Sequence, residues 1–282
     1  MSQMNRYWIS PAGVRIPGIV YGTAWKKEQT AALVEQALRL GFRGLDTAGQ
    51  PKHYDEAGVG AGMARALPSG LDRQEIFLQS KFTPIDGQDP RRLPYDPKAS
   101  LSAQVAQSFA NSLRNLRTDY LDSLILHSPL PDRKALLEVW RALECIVEAG
   151  GARQLGISNL YDPEQLADLY QMARIKPAVV QNRFYAQTGY DREIREFCRR
   201  QGMLYQSFWT LTANAALLAH ERVQDLARAY RRTPAQIFYR YLTQIGIIPL
   251  IGTTSTRHMQ EDLAIYEFEL LASECEKMRA LL

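Results

Sequence analysis

Residues 123–158 read SLILHSPLPDRKALLEVWRALECIVEAGGARQLGIS, and this stretch decides the fold. Its two ends, Ser123–His127 and Gln154–Ser158, are short apolar runs of the kind found in buried strands. Between them, Lys134–Glu148 carries apolar residues three and four positions apart, which is typical of an amphipathic helix. A strand, a helix and a second strand in this order form one unit of a parallel α/β sheet.

The same alternation runs along nearly the whole chain. Further strands are predicted at Ile19–Thr23, Arg43–Thr47, Ile76–Lys81, Val179–Arg183, Leu204–Phe208 and Ile247–Ile251. Further helices are predicted at Gln29–Leu40, Lys98–Leu116 and Glu164–Met172. Eight β/α units favour a closed (β/α)8 TIM barrel, because an open doubly wound sheet usually has five or six strands. With no linker to divide it, the chain is predicted to be one domain over residues 1–282.

Three segments lie outside the repeated units. Tyr7–Ile16 is predicted to be a β-hairpin that plugs the bottom of the barrel, and Ser273–Leu282 is predicted to be a short C-terminal helix. Phe82–Pro97 is the longest irregular stretch. It is interpreted either as a functional loop over the barrel or as surface decoration.

Composition excludes several classes of protein. Hydrophobic residues make up 46% of the 282 residues, which excludes a disordered or fibrous chain. Lys and Arg number 34 against 30 Asp and Glu, and this small excess is spread along the chain, so nucleic acid is not an expected partner. No apolar run has the length of a membrane span. Three separated cysteines indicate a reducing compartment, so a cytoplasmic protein is expected. The protein is also expected to be a monomer or a weak homo-oligomer.

Polar residues follow three neighbouring strands where a barrel of this type has its active site. Asp46, Lys81 and His127 end predicted strands, and Tyr54 lies in the loop after Asp46. Any one of them alone is as well explained as a solvated strand end. Together they have complementary chemistry, because a lysine would lower the pKa of a neighbouring tyrosine and an aspartate would keep that lysine charged. The set is suited to protonating an oxygen on which negative charge develops.

Five ordered segments of the chain resemble the aldo-keto reductase family. They are Gly41–Ala48, Tyr54–Glu56 followed by Val59-Gly60, Ile76–Lys81, Asp122–Pro129 and Gly156–Asn159, within a resemblance that runs from Val14 to Ile265. The resemblance implies an NAD(P)H-dependent oxidoreductase that reduces an aldehyde or ketone to an alcohol. It also implies that Tyr54 is the general acid, that Lys81 and Asp46 tune it, and that His127 orients the carbonyl group.

The same resemblance implies a set of contacts to the cofactor. The nicotinamide half is expected to meet Thr23, Asp46, Ser158, Asn159 and Gln181, and the adenine is expected to meet Glu261 and Asp262. A different interpretation remains for Ser158 and Asn159, since this pair could be the N-cap of the next helix, a role that Asp162 could equally fill.

The chain departs from the family pattern at both ends of the expected cofactor. Gln206-Ser207 stands where the family has Tyr-Ser, whose ring stacks on the nicotinamide. Phe208 and Trp209 follow, and they either replace that ring, shape the substrate pocket or pack in the core. The family's cationic clamp for the 2′-phosphate of NADPH aligns with Gly252-Thr253 and His258, and Thr254 can still donate a hydrogen bond to a phosphate. NADPH is the predicted cofactor, with NADH as the alternative.

The expected substrate is a small carbonyl compound. The residues predicted to contact it are Trp25, Tyr54, Phe82, His127 and Trp209. Five residues, Gly49–His53, lengthen the loop before Tyr54, and His53 is either a second proton donor or an exposed loop residue.

No metal site is predicted. Two other functions were weighed: a binding or regulatory protein with this fold, and a barrel that performs non-redox chemistry.

Overall fold

The computed structural model describes residues 6–282, and strands in this range form a closed barrel. The eight parallel barrel strands are β3 Val20–Gly22, β4 Gly44–Asp46, β5 Phe77–Phe82, β6 Ser123–Leu126, β7 Leu155–Ser158, β8 Val179–Arg183, β9 Leu204–Phe208 and β10 Ile247–Ile251. Before them, β1 Tyr7–Ile9 and β2 Arg15–Pro17 pair as an antiparallel hairpin. Strand β10 closes the ring against β3. The predicted (β/α)8 barrel with an N-terminal hairpin is confirmed.

Helices alternate with the barrel strands along the chain. They are α1 Thr30–Leu40, α2 Glu56–Ala66, α3 Leu101–Leu116, α4 Arg133–Glu148, α5 Pro163–Met172, α6 Arg192–Gln201, α7 Ala215–Ala219, α8 Glu221–Tyr230, α9 Pro234–Gln244, α10 Thr256–Leu263 and α11 Ala272–Arg279. The predicted strands β8, β9 and β10 have the observed bounds, and the other predicted elements differ from the observed ones by at most three residues at either end. The short C-terminal helix is confirmed as α11. Between residues 6 and 282, no helix has the length and apolar character that a membrane crossing requires.

Helix α4 shows why these segments form where they do. The Asp132 carboxylate accepts a hydrogen bond from the Ala135 amide at 2.8 Å, which satisfies a free N–H group of the first turn. One face of the helix is buried against the barrel; it consists of Leu136, Val139, Trp140 and Leu143. Burying each such side chain stabilises the fold by roughly 1.5–3 kcal/mol. The spacing visible in the sequence therefore corresponds to the face that packs.

The interior of the barrel is apolar at its bottom and polar at its top. The bottom is filled by Val14, Ile16, Val20, Phe77, Ile125, Ala178, Val179 and Ile248. Because Val14 and Ile16 belong to the hairpin segment, the hairpin plugs this end, as predicted. Above this layer the inward side chains include Gln79, Gln181, Asp46 and Lys81, all buried. The carboxyl ends of the strands therefore hold the polar cluster.

Candidate active site

Asp46 and Lys81 form a buried ion pair at the top of the barrel. Lys81 Nζ lies 2.6 Å from Asp46 Oδ2, and the two side chains are 0% and 2% exposed. The ammonium also donates to the Thr47 carbonyl at 2.8 Å. Strands β4 and β5 are neighbours in the ring, which brings these two residues together. The pair is shielded from water, so its electrostatic effect on nearby groups is strong.

Tyr54 and His127 complete the group of four predicted residues. Their ring centroids are 6.0 Å apart in an edge-to-face arrangement, and Lys81 Nζ lies 5.1 Å from the centroid of the Tyr54 ring. The longer loop before Tyr54 is held in place by Gln50, whose side-chain amide donates to the Gly87 carbonyl at 2.6 Å. The structure therefore brings all four side chains together despite the extra loop residues.

Burial sets the protonation states of the two aromatic groups. Burial raises the pKa of the Tyr54 hydroxyl, and the Asp46 carboxylate raises it further. Burial lowers the pKa of His127 well below its usual value, and the positive charges of Lys81 and His53 lower it further. Near neutral pH, Tyr54 keeps its proton and His127 is uncharged. The direction for Tyr54 is opposite to the lowering expected from Lys81, because burial and the Asp46 carboxylate both favour the protonated hydroxyl.

A threonine that the sequence analysis did not single out orients His127. Thr83 Oγ1 lies 2.7 Å from His127 Nδ1, and Thr83 is buried. This contact occupies one ring nitrogen and leaves Nε2 for the pocket. When the hydroxyl donates to Nδ1, the proton of the neutral ring is on Nε2, which can then donate to an oxygen in the pocket.

A second buried carboxylate lies behind Lys81. Glu56 accepts hydrogen bonds from Ser80 Oγ at 2.6 Å and from Ser112 Oγ at 3.0 Å. Burial raises the pKa of Glu56, whereas these hydroxyl groups and the charge of Lys81 lower it. Burial likewise lowers the pKa of Lys81, and the two carboxylates Asp46 and Glu56 raise it. Lys81 thus has acidic groups on both faces of its strand.

The residues predicted to meet the nicotinamide lie beside this cluster. Ser158 Oγ donates to the Gln181 carbonyl at 2.6 Å, and Asn159 Nδ2 donates to the His127 carbonyl at 2.8 Å. Thr23 Oγ1 donates to the Asp46 carbonyl at 2.9 Å.

The next helix, α5, does not use Ser158 or Asn159 as its cap. Instead, the side chain of Asp162 accepts hydrogen bonds from the Glu164 and Gln165 amides. Ser158 and Asn159 are therefore not the N-cap of α5.

Gln206 is part of a buried amide cluster, which we define as Gln79, Gln181 and Gln206. Gln206 Oε1 accepts from Gln79 Nε2 at 2.8 Å and from Gln181 Nε2 at 2.9 Å. The same two amides donate to Asp46 Oδ1, at 2.7 and 3.0 Å. Gln206 is 0% exposed, so it presents no surface for a ring to stack on. Gln79 was missed in the sequence, although its place two residues before Lys81 puts it on the inner face of β5.

The residues after β9 differ in their exposure. Ser207 is buried, and its hydroxyl accepts from Thr210 Oγ1 at 2.9 Å. Phe208 is half-buried, whereas Trp209 is 49% exposed and has a φ of 55°, in the left-handed region that large side chains rarely adopt. Of these residues, Trp209 has the side chain that is most exposed to solvent, and it follows the carboxyl end of β9.

The loop after β10 brings together the residues predicted to meet the phosphate and adenine groups. Gly252, Thr254 and His258 are exposed, and Thr253 Oγ1 lies 3.4 Å from His258 Nδ1. Lys26, which the sequence analysis missed, donates its Nζ to the Gly252 carbonyl. Lys26 is 8% exposed, and burial lowers its pKa. This end of the pocket therefore has a cation, although it is not in the position where the family pattern places one.

The acidic pair on α10 is split between two environments. Glu261 is bound to Arg257 at 2.7 Å, whereas Asp262 is buried, and burial together with the charge of Glu261 raises its pKa to about 7. The usual aspartate pKa is about 3.9, so the folded state binds this proton more tightly than the unfolded state does. The contribution of Asp262 to stability therefore falls as the pH rises from about 4 to about 7.

Replacement of Asp262 by asparagine should remove this pH-dependent loss. We expect the Asp262→Asn variant to gain roughly 2–4 kcal/mol in free energy of unfolding at pH 8, and much less at pH 4.5. Urea denaturation at both pH values measures the difference, with the exposed Asp225→Asn as the control. An equal change at the two pH values would contradict the assignment.

A cavity of about 430 Å³ opens beside Tyr54. Its walls include Trp25, His53 and Arg92, and the Trp25 and His53 rings stack with their centroids 4.0 Å apart. The predicted substrate residue Phe82 is not part of this group, because it is 2% exposed and packs against Tyr95 on the outer side of its strand. The loop after Phe82 is tied to the segment before Tyr54, since Gln88 Nε2 donates to the Gly49 carbonyl at 2.8 Å.

Within the described range, no three His, Cys, Asp or Glu side chains are grouped so that they could hold a metal ion.

Comparisons with known proteins agree with the barrel fold. The family model for the aldo/keto reductase family matches residues 18–282. The chain is 30% identical over 272 residues to an uncharacterised oxidoreductase, YtbE, of Bacillus subtilis (strain 168), which covers 95% of this chain and 90% of that protein. It is 31% identical over 248 residues to a glyoxal reductase of the same organism, which covers 88% and 82%.

Among solved structures, an aldo/keto reductase from Brucella melitensis has a TM-score of 0.83 at 24% identity, over 98% of this chain and 99% of that one. That likeness shows the fold. The barrel and the family match together identify the class of protein, one whose members include oxidoreductases. The chain belongs to the aldo/keto reductase family.

Proposed function

We propose that this protein reduces an aldehyde or ketone to an alcohol with NADPH, or with NADH as the alternative cofactor. The observation that carries the proposal is the buried Asp46–Lys81 ion pair next to a protonated Tyr54 and a neutral His127. A glyoxal reductase is among the relatives of this chain, which is consistent with a small carbonyl substrate.

Each of the four residues has a distinct role in this proposal. His127 Nε2 donates a hydrogen bond to the carbonyl oxygen and polarises it, while Thr83 fixes the ring. Tyr54 transfers its hydroxyl proton to that oxygen as negative charge develops there. Lys81 stabilises the phenolate left on Tyr54, and Asp46 holds Lys81 in place. The dinucleotide, when bound, supplies the hydride.

The residues present fit a nicotinamide dinucleotide. Ser158, Asn159 and Gln181 lie side by side next to the proton donor, and their side-chain oxygens and amides match the hydrogen-bonding groups of a carboxamide. At the other end, the nearly buried Lys26 ammonium rests on a carbonyl oxygen, and no carboxylate within residues 6–282 forms an ion pair with it. A buried cation without an acidic partner is suited to a phosphate.

Titration with NADPH and with NADH tests this assignment. We expect the protein to bind at least one of them with an enhanced nicotinamide fluorescence. Replacing Lys26 by methionine should raise the dissociation constant by about 10–100-fold, because a charged hydrogen bond to phosphate is lost.

The exposed Lys277→Met on α11 is the matched control for this titration. A rise for both dinucleotides would place Lys26 at the shared pyrophosphate, and a rise for NADPH alone would place it at the 2′-phosphate. If neither dinucleotide bound, that result would contradict the proposal and favour a binding or non-redox role.

A further inference from the structure

Arg183 ends strand β8 at the mouth of the barrel. Two residues before it, Gln181 points into the barrel, where its amide donates to Asp46 Oδ1 at 3.0 Å. Side chains alternate along a strand, so Arg183 lies on the same inner side, one level closer to the mouth. Its backbone pairs in register with Phe208 of β9.

Two aromatic rings hold the Arg183 guanidinium. The guanidinium carbon lies 4.3 Å from the centroid of the Trp209 ring and 5.4 Å from that of Tyr185. Contacts of this kind use the flat faces of the guanidinium and leave its N–H edge free. That edge has the geometry that binds a carboxylate or a phosphate through two parallel hydrogen bonds.

The charge of Arg183 is not neutralised by the described part of the protein. Within residues 6–282, no ion pair involves Arg183, and its Nε is buried without a hydrogen-bond partner. The next acidic residue along the chain, Asp191, is buried and forms no ion pair with Arg183 in the described range; its Oδ2 accepts from Asn182 Nδ2 at 2.7 Å and from the Tyr205 hydroxyl at 2.8 Å. Within residues 6–282 the terminal guanidinium nitrogens of Arg183 also form no hydrogen bond, and an anion from outside the chain would complete this half-buried cation.

A chain of hydrogen bonds links Arg183 to the residue proposed to orient the substrate. The Arg183 amide donates to the Tyr161 hydroxyl at 3.2 Å, and that hydroxyl donates to Asn159 Oδ1 at 3.4 Å. Asn159 in turn donates to the His127 carbonyl. Lys26, the cation proposed to bind a dinucleotide phosphate, lies instead against Gly252, which follows β10. The two cations therefore serve different parts of the pocket.

We propose that Arg183, held by Trp209 and Tyr185, is a binding site for an anionic group, and that the carbonyl substrate carries this group as a carboxylate or phosphate. The inference rests on the proposed carbonyl reductase function and adds a substrate class to it: an aldehyde or ketone with an acidic group at some distance from the reacting carbon.

The test compares two aldehydes that differ in charge and little in shape, 4-carboxybenzaldehyde and 4-formylbenzamide. For the Arg183→Met variant we expect the KM of the carboxylate to rise about 10–100-fold and that of the amide to stay within about twofold. Arg183→Lys should restore part of the difference, because it keeps the charge and loses the planar edge. Arg200→Met, an exposed arginine on α6, is the control.

Two further measurements separate the possible failures. The dissociation constants of NADPH and NADH should be unchanged in Arg183→Met, and a rise in both would assign the anion to the cofactor and overturn the proposal. Calorimetric binding of the dianion terephthalate needs no turnover, so it tests the subsite even if neither aldehyde is reduced. Weaker terephthalate binding in Arg183→Met supports the subsite, and equal binding to the wild type and to this variant overturns it.

Discussion

Replacement of Tyr54 by phenylalanine is expected to lower kcat/KM for carbonyl reduction by about 10²- to 10⁴-fold and to leave the dissociation constant of the dinucleotide unchanged. The variant loses only the hydroxyl group. The ring contacts with His127 and with the Lys81 ammonium do not require that hydroxyl, so the pocket should keep its shape. Steady-state rates with a small aldehyde, together with fluorescence titration of the dinucleotide, measure the two effects separately.

Tyr170→Phe is a suitable control, because this tyrosine packs against Phe197 away from the site. A Tyr54→Phe variant with half or more of the wild-type turnover would show that another group supplies the proton. His53 would then be examined first, since it also lines the cavity beside Tyr54. In the structure, however, its Nδ1 is engaged by Gln50 Oε1 at 3.0 Å and its ring stacks on Trp25.

The second large effect is expected from Lys81→Met, in stability as well as in activity. This change leaves the Asp46 carboxylate buried without a cation, although the amides of Gln79 and Gln181 still donate to it. Removing one partner of a buried ion pair typically destabilises a protein by about 3–5 kcal/mol. We expect a loss of that size in the free energy of unfolding, measured by urea denaturation, and a loss of nearly all turnover.

A double variant separates the two consequences. Asp46→Leu combined with Lys81→Met removes both charges, so much of the lost stability should return while activity does not. Arg141→Met serves as a control for breaking an ion pair, because Arg141 is partly exposed and its partner Glu144 keeps Arg174. If Lys81→Met alone changed the free energy of unfolding by less than about 1 kcal/mol, the pair would not be shielded from water as the structure indicates.

Much of the fold could be predicted because each unit repeats a local pattern. The run Leu124-Ile125-Leu126 and the helical spacing of α4 are both legible within a few residues, and the eight units imply closure. Some strand ends shifted by one residue, as at Phe77–Phe82, because hydrogen bonding to neighbouring strands sets them. Alternation along that strand also explains Phe82: with Lys81 facing inward, its neighbour faces outward.

The candidate site was only partly predictable. Residues in recognisable motifs, such as Tyr54 and His127, were expected together and are found together. The partners that hold them were not, because they come from distant parts of the chain with no local signal. Thr83 on His127 and Glu56 behind Lys81 are examples. Lys26 was also missed, since only the closed ring brings β10 next to the loop that follows β3.

The amide cluster has an evolutionary consequence. Each of Gln79, Gln181 and Gln206 satisfies hydrogen-bonding groups of another, so their identities are inherited as a set. A mutation of Gln206 to the family's usual tyrosine would deprive Gln79 of an acceptor and a donor at one step. A change at Gln206 alone therefore leaves Gln79 with unsatisfied buried groups, and a second change at Gln79 would relieve that cost. Relatives with glutamine at the position of Gln206 should also carry a polar residue at that of Gln79.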